Sequence, residues 1–357
     1  MFAPSPLPRT LEASFRDLGS ERATTRAAAI ADLVRHARAD AAARGRAVPL
    51  LERALAGPAL DPSNAVRAAA ALALADLAAS EALASLLVAI EDEDGHVRQM
   101  ALTALGEIAD PRALPRLERA LRDLRPEVRY QAIIAFVRAA AAGAGGAGDA
   151  PDAPAVVRAL GAALDDADDE IRYIALRLAE EHRVGGDAAR DLRERAASLL
   201  ARAAGGHAHR VGRGEGSLAV VAALYLARIG DARGRPAVVD VVAGRRRTTV
   251  IEDERACVEI AGELGLREAI PDLEGRVWGS PGPASAGASL ARLFAWTARA
   301  MGDGARCAWH ARVALATMGH ERARREIVQD LTSWRRETRA AAAVAAARSG
   351  IIPSTTG

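Results

Sequence analysis

The sequence predicts an all-α fold, an α-solenoid of about eight or nine antiparallel helix pairs, and three observations carry that expectation. The dipeptides Val66-Arg67, Val97-Arg98 and Val128-Arg129 recur at intervals of 31 residues, a period expected of stacked copies of one supersecondary unit. Alanine fills 88 of 357 positions while aromatic residues make up 3%. Alanine is the best helix former and is small enough for thin helical layers to approach closely. A second set of segments falls between the first: PLLERAL from Pro49, PRLERAL from Pro115 and PAVVRAL from Pro154. Each unit therefore reads as two helices.

Taken in order, residues 7–18 read as a first amphipathic helix, and Ser20 caps a longer one ending at Gly45. The segment VPLLERALAG then opens a short helix at its proline and breaks at Gly57-Pro58. A proline in the first turn costs little, because its missing N–H would have had no intrahelical partner. PAVVDVV from Pro236 and PDLEGRV from Pro271 keep the same frame.

The second helix of each unit carries the sharper signature. Asp61 and Arg67, Asp92 and Arg98, Asp123 and Arg129, and Asp166 and Arg172 are all six residues apart. Val or Ile precedes each arginine, and alanine follows three residues later at 70, 101, 132 and 175. The aspartate falls in the turn before the helix and the arginine in its first turns. One unit's aspartate can then meet its neighbour's arginine in a charge-assisted ladder, while the alanine lets the helices close up.

At these residues the chain resembles the HEAT-repeat family, in the short-repeat form named after the phycobilisome lyases. The resemblance covers most of the chain and is sharpest over residues 49–182. It implies a right-handed superhelix of antiparallel helix pairs, with the second helices lining a concave face.

Beyond residue 182 the pattern loosens. GEGSLAVVAALYLARIGD keeps the spacing without the Val-Arg pair, and IEDERACVEIAGELGL restores the apolar rhythm. WGSPGPASAG is a break, followed by helices expected at about 286–301, 304–318, 321–331 and 335–349, with one helix left unpaired near 268–301. Residues 1–357 read as one array, with flexible loops at 141–152, 205–216 and 278–286 and an irregular C-terminal cap over 286–350.

All 48 basic residues are arginine, which points to a GC-rich bacterial genome. Residues 61–190 carry a net charge of −8 and residues 191–357 one of +7, an asymmetry that can mark a binding end. Two cysteines, Cys257 and Cys307, are too few for a disulfide framework or a cysteine zinc site. The start MFAPSPLPRTLEASF lacks a basic stretch followed by an apolar core, so no signal peptide is expected. No run of about 18 apolar residues suggests a membrane span. Cytoplasmic residence is the expectation.

Several groups of residues are candidates for function. Gln99, Tyr130 and Tyr173 each follow a signature arginine, so they occupy one equivalent position in successive units. With Val97, Ala101 and Leu105 pointing inward, that position faces the concavity, and Arg138 and Arg177 extend the stripe. Such a polar–aromatic strip suits a protein partner, and tyrosine brings broad contact area with a hydroxyl. The bland alternative is that the tyrosines simply cover the helix surface. His207, His209, Arg210 and Arg213, together with Arg245, Arg246 and Arg247, form a basic set able to contact an anion or a partner. Four tryptophans, at 278, 296, 309 and 334, read as covering the end of the array or as a docking patch.

No HExxH, phosphate loop or GxSxG element occurs, and the single His320-Glu321 step falls short of the several that deoxyhypusine hydroxylase uses for iron. No metal or cofactor is expected. The leading reading is a non-enzymatic scaffold binding protein partners on the concave face. One alternative is a nucleic-acid-binding protein resembling the HEAT-like DNA glycosylases. Another is an accessory lyase or chaperone for a cofactor-bearing protein.

Overall fold

The structure is a computed structural model, and it describes residues 9–56, 60–143, 154–204, 215–246, 248, 250–279 and 303–351. The described residues fold into α-helices linked by turns and short 3-10 segments, with no strand among them. The chain divides into two compact units, Met1–Leu192 and Arg193–Gly357.

In the first unit, α1 (Leu11–Asp17) leads to α2 (Ala23–Ala39) and α3 (Ala41–Leu55). One long helix ending at Gly45 was the sequence expectation, and two helices take its place. Asp40 is the reason. Its extended backbone breaks the helix, and its carboxylate accepts the N–H groups of Ala42 and Ala43, capping a new one. Gly45 and Pro49 therefore lie inside α3.

The regular part alternates long and short helices. The long ones are α4 (Asn64–Asp76), α6 (Gly95–Ile108), α8 (Pro126–Gly143) and α10 (Asp169–Glu181). Between them run α5 (Leu83–Ala89), α7 (Leu114–Ala120) and α9 (Pro154–Leu164). Each long helix packs on its predecessor: α4 on α2, α6 on α4, α8 on α6 and α10 on α8. Small residues set the spacing. Ala70, Ala101, Ala132 and Ala175 are all fully buried, and a Cβ on Gly106 would meet Ala135 Cα at 3.4 Å.

Helix α11 (Arg190–Ala204) crosses the boundary between the units. The second unit contains α12 (Glu215–Arg228), α13 (Arg235–Val242), α14 (Ile251–Glu263) and α15 (Ile270–Trp278). It continues with α16 (Asp303–Thr317), α17 (Glu321–Asp330) and α18 (Arg336–Arg348). Every residue from Leu218 to Ala227 is buried, so α12 is the core helix of this unit. Arg276 ties three helices together: it bonds Glu254 of α14 at 2.6 Å and the carbonyl of Val242, at the end of α13, at 2.7 Å. Helices α14 and α16 touch closely, since a Cβ on Gly262 would stand 2.7 Å from Ala314 Cα.

The expected helices at 304–318, 321–331 and 335–349 are present as α16, α17 and α18, whereas the one at 286–301 lies outside the described residues. Of the three expected loops, residues 141–143 complete α8, residues 215–216 open α12 and Trp278 ends α15. Residues 144–152, 205–214 and 280–286 lie outside the described residues.

Candidate functional site

The surface that the first unit offers is built on its arginine ladder. Arg26, Arg67, Arg98 and Arg129 each stand fourth in their helix. Each grips the aspartate of the following repeat with Nε and Nη2. Arg26 holds Asp61 at 2.7 and 2.7 Å, and Arg67 holds Asp92 at 2.8 and 2.8 Å. Arg98 holds Asp123 at 2.8 and 2.9 Å, and Arg129 holds Asp166 at 2.7 and 2.8 Å. Two parallel bonds to a carboxylate are the strong, geometrically specific form of the pair.

The third nitrogen faces the other way. Nη1 of Arg67, Arg98 and Arg129 donates to the carbonyls of Asp61, Asp92 and Asp123, six residues back, at 3.1, 2.9 and 2.9 Å. Each aspartate also accepts the N–H two residues on, from Ser63, Asp94, Arg125 and Asp168. One side chain thus shapes its own turn and holds the previous repeat.

The electrostatics agree. Hydrogen bonds donated to Asp92, Asp123 and Asp166 push the Arg67, Arg98 and Arg129 guanidinium groups further above their ordinary range. Burial by itself would raise the Asp61 and Asp123 carboxyls, but the Arg26 and Arg98 forks outweigh it and hold both below the usual range. For Asp166 the bonds from Arg129 are the largest influence, and its carboxyl too is lowered.

Arg26 was missed in the sequence because its turn carries Ser20 where later repeats carry aspartate. Its own pattern is otherwise that of the ladder, with Nη1 on the carbonyls of Ser20 and Glu21. The run ends at Arg172. It keeps the bond to the Asp166 carbonyl and pairs with Asp169 of its own first turn, while its Nε is buried without a partner among the described residues.

On this frame the predicted stripe is only partly open. Gln99 and Tyr130 are half-buried, at equivalent places on α6 and α8. Tyr173, expected to face outward, is 6% exposed. Sequence spacing fixes its place on α10, but what lies over α10 depends on packing beyond the ladder's last rung. Arg138 is exposed and pairs with Glu107 at 2.7 Å, and Arg177 pairs with Glu180 of its own helix at 3.2 Å.

Residues that the sequence reading passed over complete the strip. Leu72, Thr103 and Ile134 stand five residues after Arg67, Arg98 and Arg129; Leu72 is 44% exposed and the other two are half-buried. The repeat count that aligns Tyr130 with Gln99 makes these three positions equivalent, but only the structure gives their exposure.

Of the basic set, His207, His209, Arg210, Arg213 and Arg247 lie outside the described residues. Arg245 is paired with Asp240 at 2.8 Å, and the Arg246 N–H bonds the Asp240 carbonyl. The tryptophans divide. Trp278 donates Nε1 to Glu326 at 3.0 Å and lies under Arg322, while Trp309 meets His310 edge to face. Trp334 is 83% exposed, and Trp296 lies outside the described residues. Among the described residues no helix is long and apolar enough to cross a membrane, and no group of three or more His, Cys, Asp or Glu is placed to hold a metal ion.

Comparison with known proteins bears on the fold. The family model for HEAT repeats matches residues 49–137. The crystal structure of YibA from Escherichia coli is 17% identical, covers 76% of this chain and 87% of its own, and gives a TM-score of 0.50. The CpcE–CpcF complex of phycocyanin lyase from Nostoc sp. PCC7120 is 19% identical over 76% of this chain and 96% of that one, with a TM-score of 0.44. An engineered protein is 19% identical over 95% of this chain and 88% of its own, also with a TM-score of 0.44. No curated protein matches the sequence. At such identities the likeness to solved structures is one of fold alone. The family match falls on the stretch where Arg67 and Arg98 meet Asp92 and Asp123, so residues 49–137 are similar to HEAT repeats, and the fold is that of an all-α solenoid.

Proposed function

We propose that the chain is a non-enzymatic scaffold that binds a protein partner along the long helices of its first unit. The observation that supports this most is the strip formed by Leu72, Thr103 and Ile134, at one helical position in three successive repeats, with Tyr130 and Gln99 beside it. It is mixed in character: Leu72, Ile134 and Tyr130 supply apolar and aromatic surface around the polar Thr103 and Gln99, bordered by the exposed charges of Asp76, Glu107 and Arg138. An apolar and aromatic centre within a polar rim is the usual anatomy of a protein-binding patch. The ladder beneath holds the repeats in fixed register, so a partner meets a pre-organised surface and loses less entropy in binding.

A nucleic-acid partner draws less support. Duplex binding needs free cationic groups along a track. In the second unit Arg228, Arg233, Arg276, Arg312 and Arg348 are engaged with Glu263, Glu194, Glu254, Asp330 and Glu259.

The test is affinity capture from native extract, followed by titration of the captured protein against the purified chain. Leu72→Glu combined with Tyr130→Ala is expected to weaken binding at least tenfold, while Leu124→Ala, at a 96% exposed position off the strip, leaves it unchanged. Unaltered affinity in the double variant would remove the strip from consideration. Tight, steeply salt-dependent retention of duplex DNA would favour the other reading.

A further inference from the structure

The ladder geometry recurs once more, in the second unit, with one half unoccupied. Arg339 stands fourth in α18, as the rung arginines do in their helices. Its Nη1 donates to the carbonyls of Ser333 and Trp334, six and five residues back, at 2.7 and 2.9 Å. Arg98 and Arg129 make the same pair of bonds, to Asp92 and Glu93 and to Asp123 and Leu124. In the rungs this anchoring presents Nε and Nη2 to a carboxylate. At Arg339 those two atoms have no partner among the described residues, and the side chain is exposed.

The helix behind it is open too. Four residues after the rung arginines stand Ala71, Leu102 and Ile133, and eight residues after stand Ala75, Gly106 and Val137, all buried. Gly106 shows what covers the second row, since its nearest neighbour is Ala135 on the next long helix. The equivalent residues of α18, Ala343 and Ala347, are both exposed. Trp334, 83% exposed, stands at the head of this face with Arg335 over its ring at 5.0 Å.

We propose that this face of α18 docks an acidic helical segment of a partner protein, and that Arg339 takes an aspartate in the turn just before the partner's helix. Charge complementarity points to an acidic occupant: Arg335, Arg336 and Arg339 face solvent here with Glu337 as the one acid of that turn. The rungs define the rest, an aspartate followed by a helix whose small face lies on Ala343 and Ala347. A second copy of the chain stacked start to end does not supply this group. The turn before α2 carries Ser20 in the aspartate's place, and its carbonyl already serves Arg26. This surface lies in the second unit and is independent of the strip on α4, α6 and α8.

The chain contains a template for the occupant. Residues 163–182 comprise the turn with Asp166, the aspartate that Arg129 grips, and all of α10. A fluorescein-labelled peptide of that sequence is titrated with the full chain and followed by anisotropy. Saturable binding is expected. It should weaken at least tenfold when the peptide carries Asp166→Ala, and equally when the protein carries Arg339→Ala. Arg339→Lys should not restore it, because an ammonium cannot reproduce the planar fork. Trp334→Ala should weaken it several-fold, and Tyr130→Ala should leave it unchanged. Because Asp166→Ala is made in the peptide, that comparison does not depend on how a protein variant folds. The proposal is overturned if the peptide fails to bind at millimolar concentration, or binds equally well with either alanine change. It is also overturned if the chain sediments as a dimer that Arg339→Ala converts to monomer, since a second copy would then be the occupant.

Discussion

Asp92→Ala tests the ladder where it is best shielded from water. The Arg67 side chain is 4% exposed and that of Asp92 7%, against 16% and 14% for Arg98 and Asp123. Removing Asp92 leaves the Arg67 guanidinium buried with carbonyl contacts at 3.1 and 3.4 Å, and the Asp94 N–H loses its acceptor. Breaking one side of a buried pair costs about 3–5 kcal/mol, because the remaining charge is uncompensated. Glu93, 3.6 Å from Arg67 but 90% exposed, offers partial compensation and places the expected loss near the lower figure, about 3 kcal/mol.

Repeat arrays unfold through neighbour interactions and need not melt as one unit, so a single melting curve can blur the effect. Hydrogen exchange read on peptides from α4 and α6, beside urea unfolding, localises it. The comparison is Glu107→Ala, which breaks the exposed pair with Arg138 and is expected to cost less than about 1 kcal/mol. Asp92→Leu with Arg67→Met removes both charges and should recover much of the loss. If Asp92→Ala costs no more than Glu107→Ala, the ladder does not hold the repeats together.

Two further outcomes follow from packing and charge. Gly262→Ala should destabilise the second unit by about 1–3 kcal/mol through overpacking, since its Cβ would stand 2.7 Å from Ala314 Cα. Gly106→Ala, at 3.4 Å from Ala135 Cα, should be neutral or gain up to about 1 kcal/mol of helix propensity; urea unfolding of both variants checks the contrast. The two units should also respond to different pH ranges in hydrogen exchange. The lowered carboxyls of Asp61, Asp123 and Asp166 contribute stability that is complete above their unfolded pKa of about 4 and lost as pH falls through the folded values. His310 is lowered chiefly by burial; Glu259 opposes this, and Arg255 and Arg348 reinforce it. A histidine kept neutral in the fold loses its contribution once pH drops below its unfolded pKa of about 6.5, so α16 should loosen as pH falls from that point while α4, α6 and α8 stay protected until the carboxyls begin to titrate. His310→Gln should remove that response.

Much of the first unit was legible because its determinants are local and repeated. A six-residue spacing places aspartate in the turn and arginine at the fourth helical residue, and stacking then brings the carboxylate of one repeat to the fork of the previous one. The candidate strip was legible as a position on a helix and no further. Tyr130 and Tyr173 are indistinguishable in the sequence, yet one is half-buried and the other buried. Leu72 went unremarked because an apolar residue in an apolar helix carries no signal of exposure.

Where the chain loses its repeat, distant contacts decide. Trp278 and Trp334 look alike in the sequence, but the first meets Glu326 and His320 from α17 and the turn before it, while the second stands in solvent. The triple arginine run reads as free charge until Asp240 is seen beside Arg245. Periodicity by itself determined the helix pairs and the rungs from Arg67 to Arg129, since those depend on residues a fixed number of steps apart. Which faces stay open, and which arginines remain without a carboxylate among the described residues, as Arg339 does, was decided only by the tertiary structure, because exposure is set by what packs on a surface from elsewhere in the chain.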